Sequence, residues 1–342
     1  MNNLSNESRV MLFTHNDLDG IGCEIVGKLA FDNIEVKNTR NPQDASNEVE
    51  AFINAGRHKS FDAIFITDIS VTERVADMID DLDANEMFKF YLLDHHKTAG
   101  DLNKRVWAEV EVNGVIGLNS GTNMFYEYLR HEGFFKTEIY RDAIQVFVEK
   151  VRRYDCWEWK TRYDDLEAGA LNQLFWLLGR NVFTSKMIRK FKANQFFSVS
   201  EGSWLEMFDS VDRAIIDIDN HKKELYVKMK ERQMKTTEFL GNQVGVVFAE
   251  QYISELGNEL SERNPHLKYI MLIDMGGNKV SLRTIHDDIN LGTEVAKRFG
   301  GGGHAKASGF VFDESVVKHS VNLITEVGIV SKLRKFVDKF SK

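Results

Sequence analysis

Proline is nearly missing from this chain: it stands only at Pro42 and Pro265, so proline does not mark a domain boundary. Cysteine is as scarce. Cys23 and Cys156 are too few for a disulfide framework and too far apart for a thiolate metal cage, which fits buried thiols in a reducing compartment. No stretch of about 18 apolar residues occurs, so no membrane span is expected. The N-terminal MNNLSNESRV has neither a basic nor an apolar signal region. The chain therefore reads as soluble and cytoplasmic. A basic excess is missing too: 44 Lys and Arg stand against 52 Asp and Glu, for a net charge of -8. That balance argues against a protein that coats long nucleic acid, and leaves room for a small anionic substrate at a metal-rich site. The basic run KLRKFVDKFSK at the C-terminus reads as the solvated face of a terminal helix.

What is present is length and alternation. With 342 residues, 43% of them hydrophobic, two domains are expected. RVMLFTH, FDAIFITDIS and FKFYLLDHH are strand-like runs, and IEVKN is a weaker one. They alternate with the helical patterns LDGIGCEIVGKLAF, residues 44–56 and VTERVADMIDDLDA. Such succession predicts a parallel sheet with helices on both faces, whose working residues collect at the carboxyl ends of the strands. From Gly121 to Gly241 the pattern is mainly helical, and DIDNHKKELYVKMKERQMKTTEFL reads as one long helix. Strand signals return in NQVGVVFAE, HLKYIMLIDM and NKVSLRT, followed by a helix in NLGTEVAKRF, the run GGGGHAKASGF and a last helix. The expected division is a catalytic domain over 1–190, a helical linker over 191–240 and a smaller α/β domain over 241–342.

FTHNDLDGIGCE, residues 13–24, raises the chemical question. Singly, an Asp after a strand is a helix cap or turn former, and a lone His is a structural histidine. Together, His15, Asp17, Asp19, Asp68, Asp94, His95 and His96 fall at one end of three strands of one sheet. Carboxylates so crowded repel unless cations neutralise them. A mixed carboxylate and imidazole set without thiolate suits Mn²⁺ first, then Mg²⁺, Co²⁺ or Fe²⁺. Two such ions about 3.5 to 4 Å apart would activate a water and clamp a phosphoryl oxygen, an arrangement suited to phosphoester hydrolysis.

The motifs HNDLDG, ITDIS, LLDHH and GGGGHAKASGF, in that order, resemble those of the DHH phosphoesterases that carry a C-terminal DHHA1 domain. HNDLDGIGCEIV and YDCWEW are most similar to the nano-RNase B type of oligoribonuclease. The resemblance implies that His15 and Asp17 hold one divalent ion, that Asp19, His95 and Asp155 hold the other, and that Asp68 bridges them. It gives Asp94 the task of orienting the His95 ring through its second nitrogen, and aims His96 at the substrate phosphate. Many relatives place three residues between the first His and the first Asp, whereas only Asn16 intervenes here.

In the second domain the resemblance makes Gly301, Gly302, Gly303 and His304 the grip on a phosphate or nucleotide, because glycine lets backbone N–H groups approach an anion closely. Arg283 in VSLRT is a candidate bidentate phosphate partner, and Ser308 a weaker contact. Tyr154 and Trp157 beside Asp155 suit either base stacking or ordinary core packing, of which packing is the expected role. The implied activity is Mn²⁺-dependent cleavage of very short single-stranded RNA to nucleoside 5′-monophosphates. Alternatives are a phosphatase on 3′-phosphoadenosine 5′-phosphate, a phosphodiesterase on linear or cyclic dinucleotides, and a nucleotide-binding regulator without catalysis. No membrane partner is expected, and a homodimer is allowed.

Overall fold

In the computed structural model, which describes residues 4–136, 138–193 and 207–325, the apolar runs of the first half become β1 (Arg9–His15), β2 (Asn33–Thr39), β3 (Ala63–Thr67), β4 (Phe90–Asp94) and β5 (Ala108–Val110). All pair in parallel, in the order β2-β1-β3-β4-β5. Alternate residues feed two cores. Val10, Leu12, Ala63 and Phe65 pack against the helices Leu18–Ala30, Gly121–His131 and Glu138–Asp155. Met11, Phe13, Ile64 and Ile66 pack against Pro42–Asn54 and Glu73–Asp80. Burial on both faces is why these strands read as continuous apolar runs. Phe65, fully buried among the rings of Phe31, Tyr91, Phe125 and Tyr128, contributes about 1.5–3 kcal/mol by burial alone.

The chain leaves β1 for β2 on one side and returns to β3 on the other. This reversal opens a crevice at the carboxyl ends of β1 and β3, where open α/β sheets place their ligands. Residue contacts divide the chain into two units, Met1–Ile216 and Asp217–Lys342.

The second unit carries β6 (Lys235–Phe239), β7 (Asn242–Phe248), β8 (Tyr269–Asp274), β9 (Lys279–Arg283), β10 (Gly302–Gly303) and β11 (Ala307–Val311), in the order β10-β11-β9-β8-β7-β6. Only β7 and β8 run parallel. Val247, Ile270 and Leu272 pack against Leu256 and Leu260 of the helix Ile253–Arg263, while Val244, Tyr269, Leu282 and Leu291 build a core on the other face.

The structure corrects the long helix. It ends at Gln233, and the expected linker segment Lys235–Phe239 is instead the edge strand β6. Leu240 and Gly241 both adopt positive φ, 50° and 75°, so the pair closes a two-residue hairpin whose twist matches its strands. Likewise NLGTEVAKRF is not a regular α-helix but two short helical turns, Leu291–Val295 and Ala296–Phe299, the first packed so that a side chain at Gly292 would meet the Gly303 carbonyl. Residues 315–325 are helical, and the basic run that follows lies outside the described residues. Among the described residues no helix is long and apolar enough to cross a membrane.

Candidate metal centre

The pairing of β1 with β3 and of β3 with β4 sets Thr14 beside Thr67 and Thr67 beside Leu93, so the residues following these three strands converge. Just past β1, Asp17 caps the helix Leu18–Ala30 by accepting the Gly20 N–H at 3.1 Å. Gly20 is required there, because a Cβ would lie 2.1 Å from the His15 carbonyl oxygen. His15 and Asp17, two residues apart at a strand end, project to the same side, and His15 Nδ1 meets Asp17 Oδ2 at 2.8 Å. The His15 ring is fixed from behind by Nε2 at 3.3 Å from the Arg40 carbonyl.

Asp68 follows β3 in a left-handed backbone conformation, φ 57°, and is only 2% exposed. Its Oδ2 lies 3.8 Å from His15 Nδ1, and its Oδ1 3.2 Å from His95 Nε2. The same His95 nitrogen is 3.7 Å from Asp19 Oδ2 and 3.5 Å from Asp155 Oδ2. The side chains thus form two ligand-sized groups, His15–Asp17–Asp68 and Asp19–His95–Asp155, with Asp68 facing both; Asp68, His95 and His96 make a third.

Two long-range features hold this arrangement, and sequence reasoning missed both. Asp19 is tied to the start of the helix Gly121–His131, accepting the Gly121 N–H at 2.6 Å and the Thr122 N–H at 3.0 Å, where the positive end of the helix dipole favours a carboxylate. Gly121 is what allows that contact: a Cβ there would lie 2.3 Å from Asp68 Cβ. At the far end of the next helix, the fully buried Arg152 donates to Glu149, Glu158 and the Leu118 carbonyl, and Cys156 Sγ donates to the Asn119 carbonyl, which pins the turn carrying Asp155. The signal was the run NSGT, a serine cap with a glycine directly after it.

The role expected of Asp94 is corrected. Its Oδ1 accepts the backbone N–H groups of His95 and His96 at 2.8 and 3.2 Å and the Nδ1–H of His96 at 2.8 Å, so the ring it orients is that of His96. At the end of β4 the chain folds back over the carboxylate, and the second histidine rather than the first turns its ring toward it.

Electrostatics follows from burial and crowding. Burial first, and then the charges of Asp19 and Asp17, push the Asp68 carboxyl well above the ordinary range. The same causes push Asp155 up to about 8. Burial lowers His95. The hydrogen bond to Asp94 raises His96, and that to Asp17 raises His15. Burial is the largest single influence on Asp17 and opposes its charge, but the bond and charge of His15 together with the Gly20 N–H outweigh it and hold that carboxyl low.

A stability prediction results. In chelated protein, folded Asp155 retains a proton from its ordinary 3.8 up to about 8, whereas the unfolded chain releases it. Stability therefore falls as pH rises through that window. Thermal melts from pH 5 to 8 in a chelator should show a falling midpoint, and a divalent ion should abolish the fall; a midpoint that rises with pH in the chelator would contradict the assignment.

The expected phosphate-binding residues also meet in one place. In the second unit, Arg283, Gly301, Gly302 and His304 line a groove of about 550 Å³ together with Lys279 and Ser281. Arg283 donates to Ser254 Oγ at 2.9 Å and to the Leu282 carbonyl. Ser308 lines the same groove, its hydroxyl buried without a hydrogen-bond partner among the described residues. Gly303 does not line it; it pairs with Ser308 in the β10–β11 ladder. Tyr154 packs as expected, stacked on Trp159 with its hydroxyl accepting from Asn172, but Trp157 does not: its side chain is half exposed.

A parallel sheet with this carboxylate and histidine cluster at its switch point defines a phosphoester-hydrolase type of site. No protein-family model matches the chain. It is 42% identical over 309 residues, 89% of this chain and 73% of that protein, to oligoribonuclease NrnB of Bacillus subtilis (strain 168), and it belongs to the DHH phosphoesterase family alongside NrnB. A 3′,5′-cyclic-nucleotide phosphodiesterase of Helicobacter pylori is 20% identical over 332 residues, covering 89% of this chain and 93% of that one. A solved pGpG-specific phosphodiesterase from Vibrio cholerae, at 16% identity, covers 94% of this chain and 99% of its own with a TM-score of 0.48, a likeness of outline that bears on neither substrate nor ion.

Proposed function

We propose that the chain is a two-metal phosphodiesterase that degrades very short RNA to nucleoside 5′-monophosphates. One observation carries this reading: a single buried carboxylate, Asp68, faces two ligand groups, one through each oxygen. Its Oδ2 is buried without a hydrogen-bond partner among the described residues, as suits an atom whose partner is a cation. The donor set fits hard or borderline divalent ions, Mn²⁺ foremost, with Mg²⁺ or Co²⁺ as substitutes. His15 and Asp17 would hold one ion and Asp19, His95 and Asp155 the other, with Asp68 on both. When bound, the ions supply charge neutralisation at the phosphate and a water acidic enough to attack it.

The remaining tasks fall to the protein. Asp94 fixes the His96 tautomer by accepting from Nδ1, which leaves Nε2 to offer a proton to the phosphate or the departing oxygen. The hydrogen bond to Asp94 favours the charged ring that this needs. In the second unit, the side chains of Arg283 and His304 offer donors to a substrate phosphate, whereas the Gly301 N–H is given to the Ala296 carbonyl and Gly302 pairs with Gly309 in the sheet. Free thiols at Cys23 and Cys156 agree with a cytoplasmic setting.

Linear and cyclic dinucleotides are the second reading; the Helicobacter pylori relative is named for 3′,5′-cyclic nucleotides, a phosphodiester within a single nucleotide. The test is one assay in Mn²⁺ comparing RNA of two to five nucleotides, 3′-phosphoadenosine 5′-phosphate, a cyclic dinucleotide and a long single strand. Short RNA is expected to be cut fastest, with nucleoside 5′-monophosphates as products. Faster turnover of the cyclic dinucleotide would move the assignment to the second reading, and no turnover of any would leave the regulator.

A further inference from the structure

Trp157 breaks two rules at once. It is a large apolar residue with its side chain 50% exposed, and it holds a left-handed backbone, φ 62° and ψ 6°, which costs a non-glycine residue about 1 kcal/mol or more. The left-handed backbone serves the turn that ends the helix Glu138–Asp155, but the exposure of the ring serves no packing beneath it, where Tyr154 and Trp159 already stack on each other. The strained turn sets the Trp157 indole outward, two residues beyond Asp155, whose carboxylate lies 3.5 Å from His95.

The ring is held in place. Trp159 meets it edge-on, with centroids 5.7 Å apart and planes at 78°, and the Lys160 ammonium lies 5.4 Å from its centroid. Its neighbour Glu158 anchors the loop before the helix Gly121–His131: Glu158 accepts from Leu118 N–H, and Arg152 links Glu158 to the Leu118 carbonyl. That loop exposes Val115, Ile116 and Leu118. The loop 115–118 and the turn at Trp157, joined through Glu158, therefore both carry exposed apolar side chains, with the Lys160 ammonium over the Trp157 and Trp159 rings.

We infer that Trp157 is a stacking platform for the nucleobase of the substrate, with Lys160 facing its phosphodiester backbone. A π-face accepts any base, and a fixed ring loses little entropy on stacking. This rests on the phosphodiesterase reading and adds to it a reason why nucleotides, rather than phosphodiesters in general, are held at the cluster.

The experiment compares wild type with Trp157→Ala and Trp157→Phe on the 5′-phosphorylated dinucleotide pApA and on its base-free analogue, in which hydrogen replaces both adenines. Trp157→Ala is expected to raise KM for pApA about 5- to 150-fold, the range one stacked base is worth, and to leave kcat and the base-free analogue unchanged. Trp157→Phe should restore most of the loss. Calorimetric titration with a non-hydrolysable phosphorothioate dinucleotide should show the same loss in Kd. Equal effects on both substrates, or none on pApA, would overturn the platform. If wild type hydrolyses neither substrate the phosphodiesterase reading falls, and the phosphorothioate titration still judges the platform separately. Should Trp157→Ala fail to fold, Trp157→Leu, apolar but without a ring, carries the same expectation.

Discussion

Asp68→Asn is expected to lower phosphoester hydrolysis by more than about 10²-fold, the cost of losing a single well-placed electrostatic group, and at the same time to raise the melting temperature of chelated protein at neutral pH. The two effects share one cause. Asp68 is buried beside Asp17 and Asp19, and its ionisation is strongly disfavoured in the folded chain. The unfolded chain ionises it freely, so the carboxyl reduces stability above its ordinary range. Asparagine has nearly the same shape, tolerates φ 57° and never ionises, so the loss disappears. It also cannot face two cations as a carboxylate does, so the stabilisation of wild type by Mn²⁺ should shrink sharply. Calorimetric melts with and without metal, paired with the short-RNA assay, check both halves. Retained activity would remove Asp68 as a shared ligand, and a lowered chelated melting temperature would contradict the electrostatics.

The second large effect is expected at a residue with no side chain. Gly121→Ala places a Cβ 2.3 Å from Asp68 Cβ, 2.7 Å from Asp68 Cα and 2.8 Å from its backbone nitrogen. None of these atoms is the movable end of a flexible side chain, so either the helix start or the end of β3 must shift. Overpacking of this kind costs about 1–3 kcal/mol or more. The shift also draws the Gly121 N–H off Asp19, so hydrolysis should fall at least as far as stability implies. Gly100→Ala is the control: no atom lies within 4 Å of its added Cβ, and its stability should match wild type or slightly exceed it. Denaturant unfolding of the two variants, with their activities, decides the point; an unchanged Gly121→Ala would show that the contact relaxes easily.

The catalytic sheet was readable because three strands buried on both faces leave continuous apolar runs, and the polar residue ending each run must sit at the sheet's edge. The second-unit hairpin was not, because Lys235, Thr236, Thr237 and Glu238 lie exposed on an edge strand with no core to imprint an alternation. Only the Leu240–Gly241 turn marked it. Within the candidate site, proximity in sequence predicted convergence but not pairing. Two adjacent histidines follow Asp94, and backbone direction after β4 decides which ring receives its oxygen. The one-residue gap between His15 and Asp17 departs from many relatives, yet alternate residues leaving a strand share a side, which lets the pair meet directly. Gly121 left one local mark, the serine–glycine helix start in NSGT, but its partners Asp19 and Asp68 lie far away in sequence; Arg152 has both glutamates within six positions, and only its tie to the Leu118 carbonyl is distant.

The tie between Asp19 and the helix at Gly121 also has a consequence for synthesis of the chain. The cluster draws on residues from His15 to Asp155, and Asp19 meets its backbone donors 102 and 103 positions later. Closing so long a loop precedes any return from the contacts it makes, so this centre forms late on the folding route. A nascent chain still short of Asp155 lacks one wall of the cage, and a ribosome-bound fragment should neither capture Mn²⁺ firmly nor cut RNA. Hydrolysis would begin only once the whole first unit has left the tunnel.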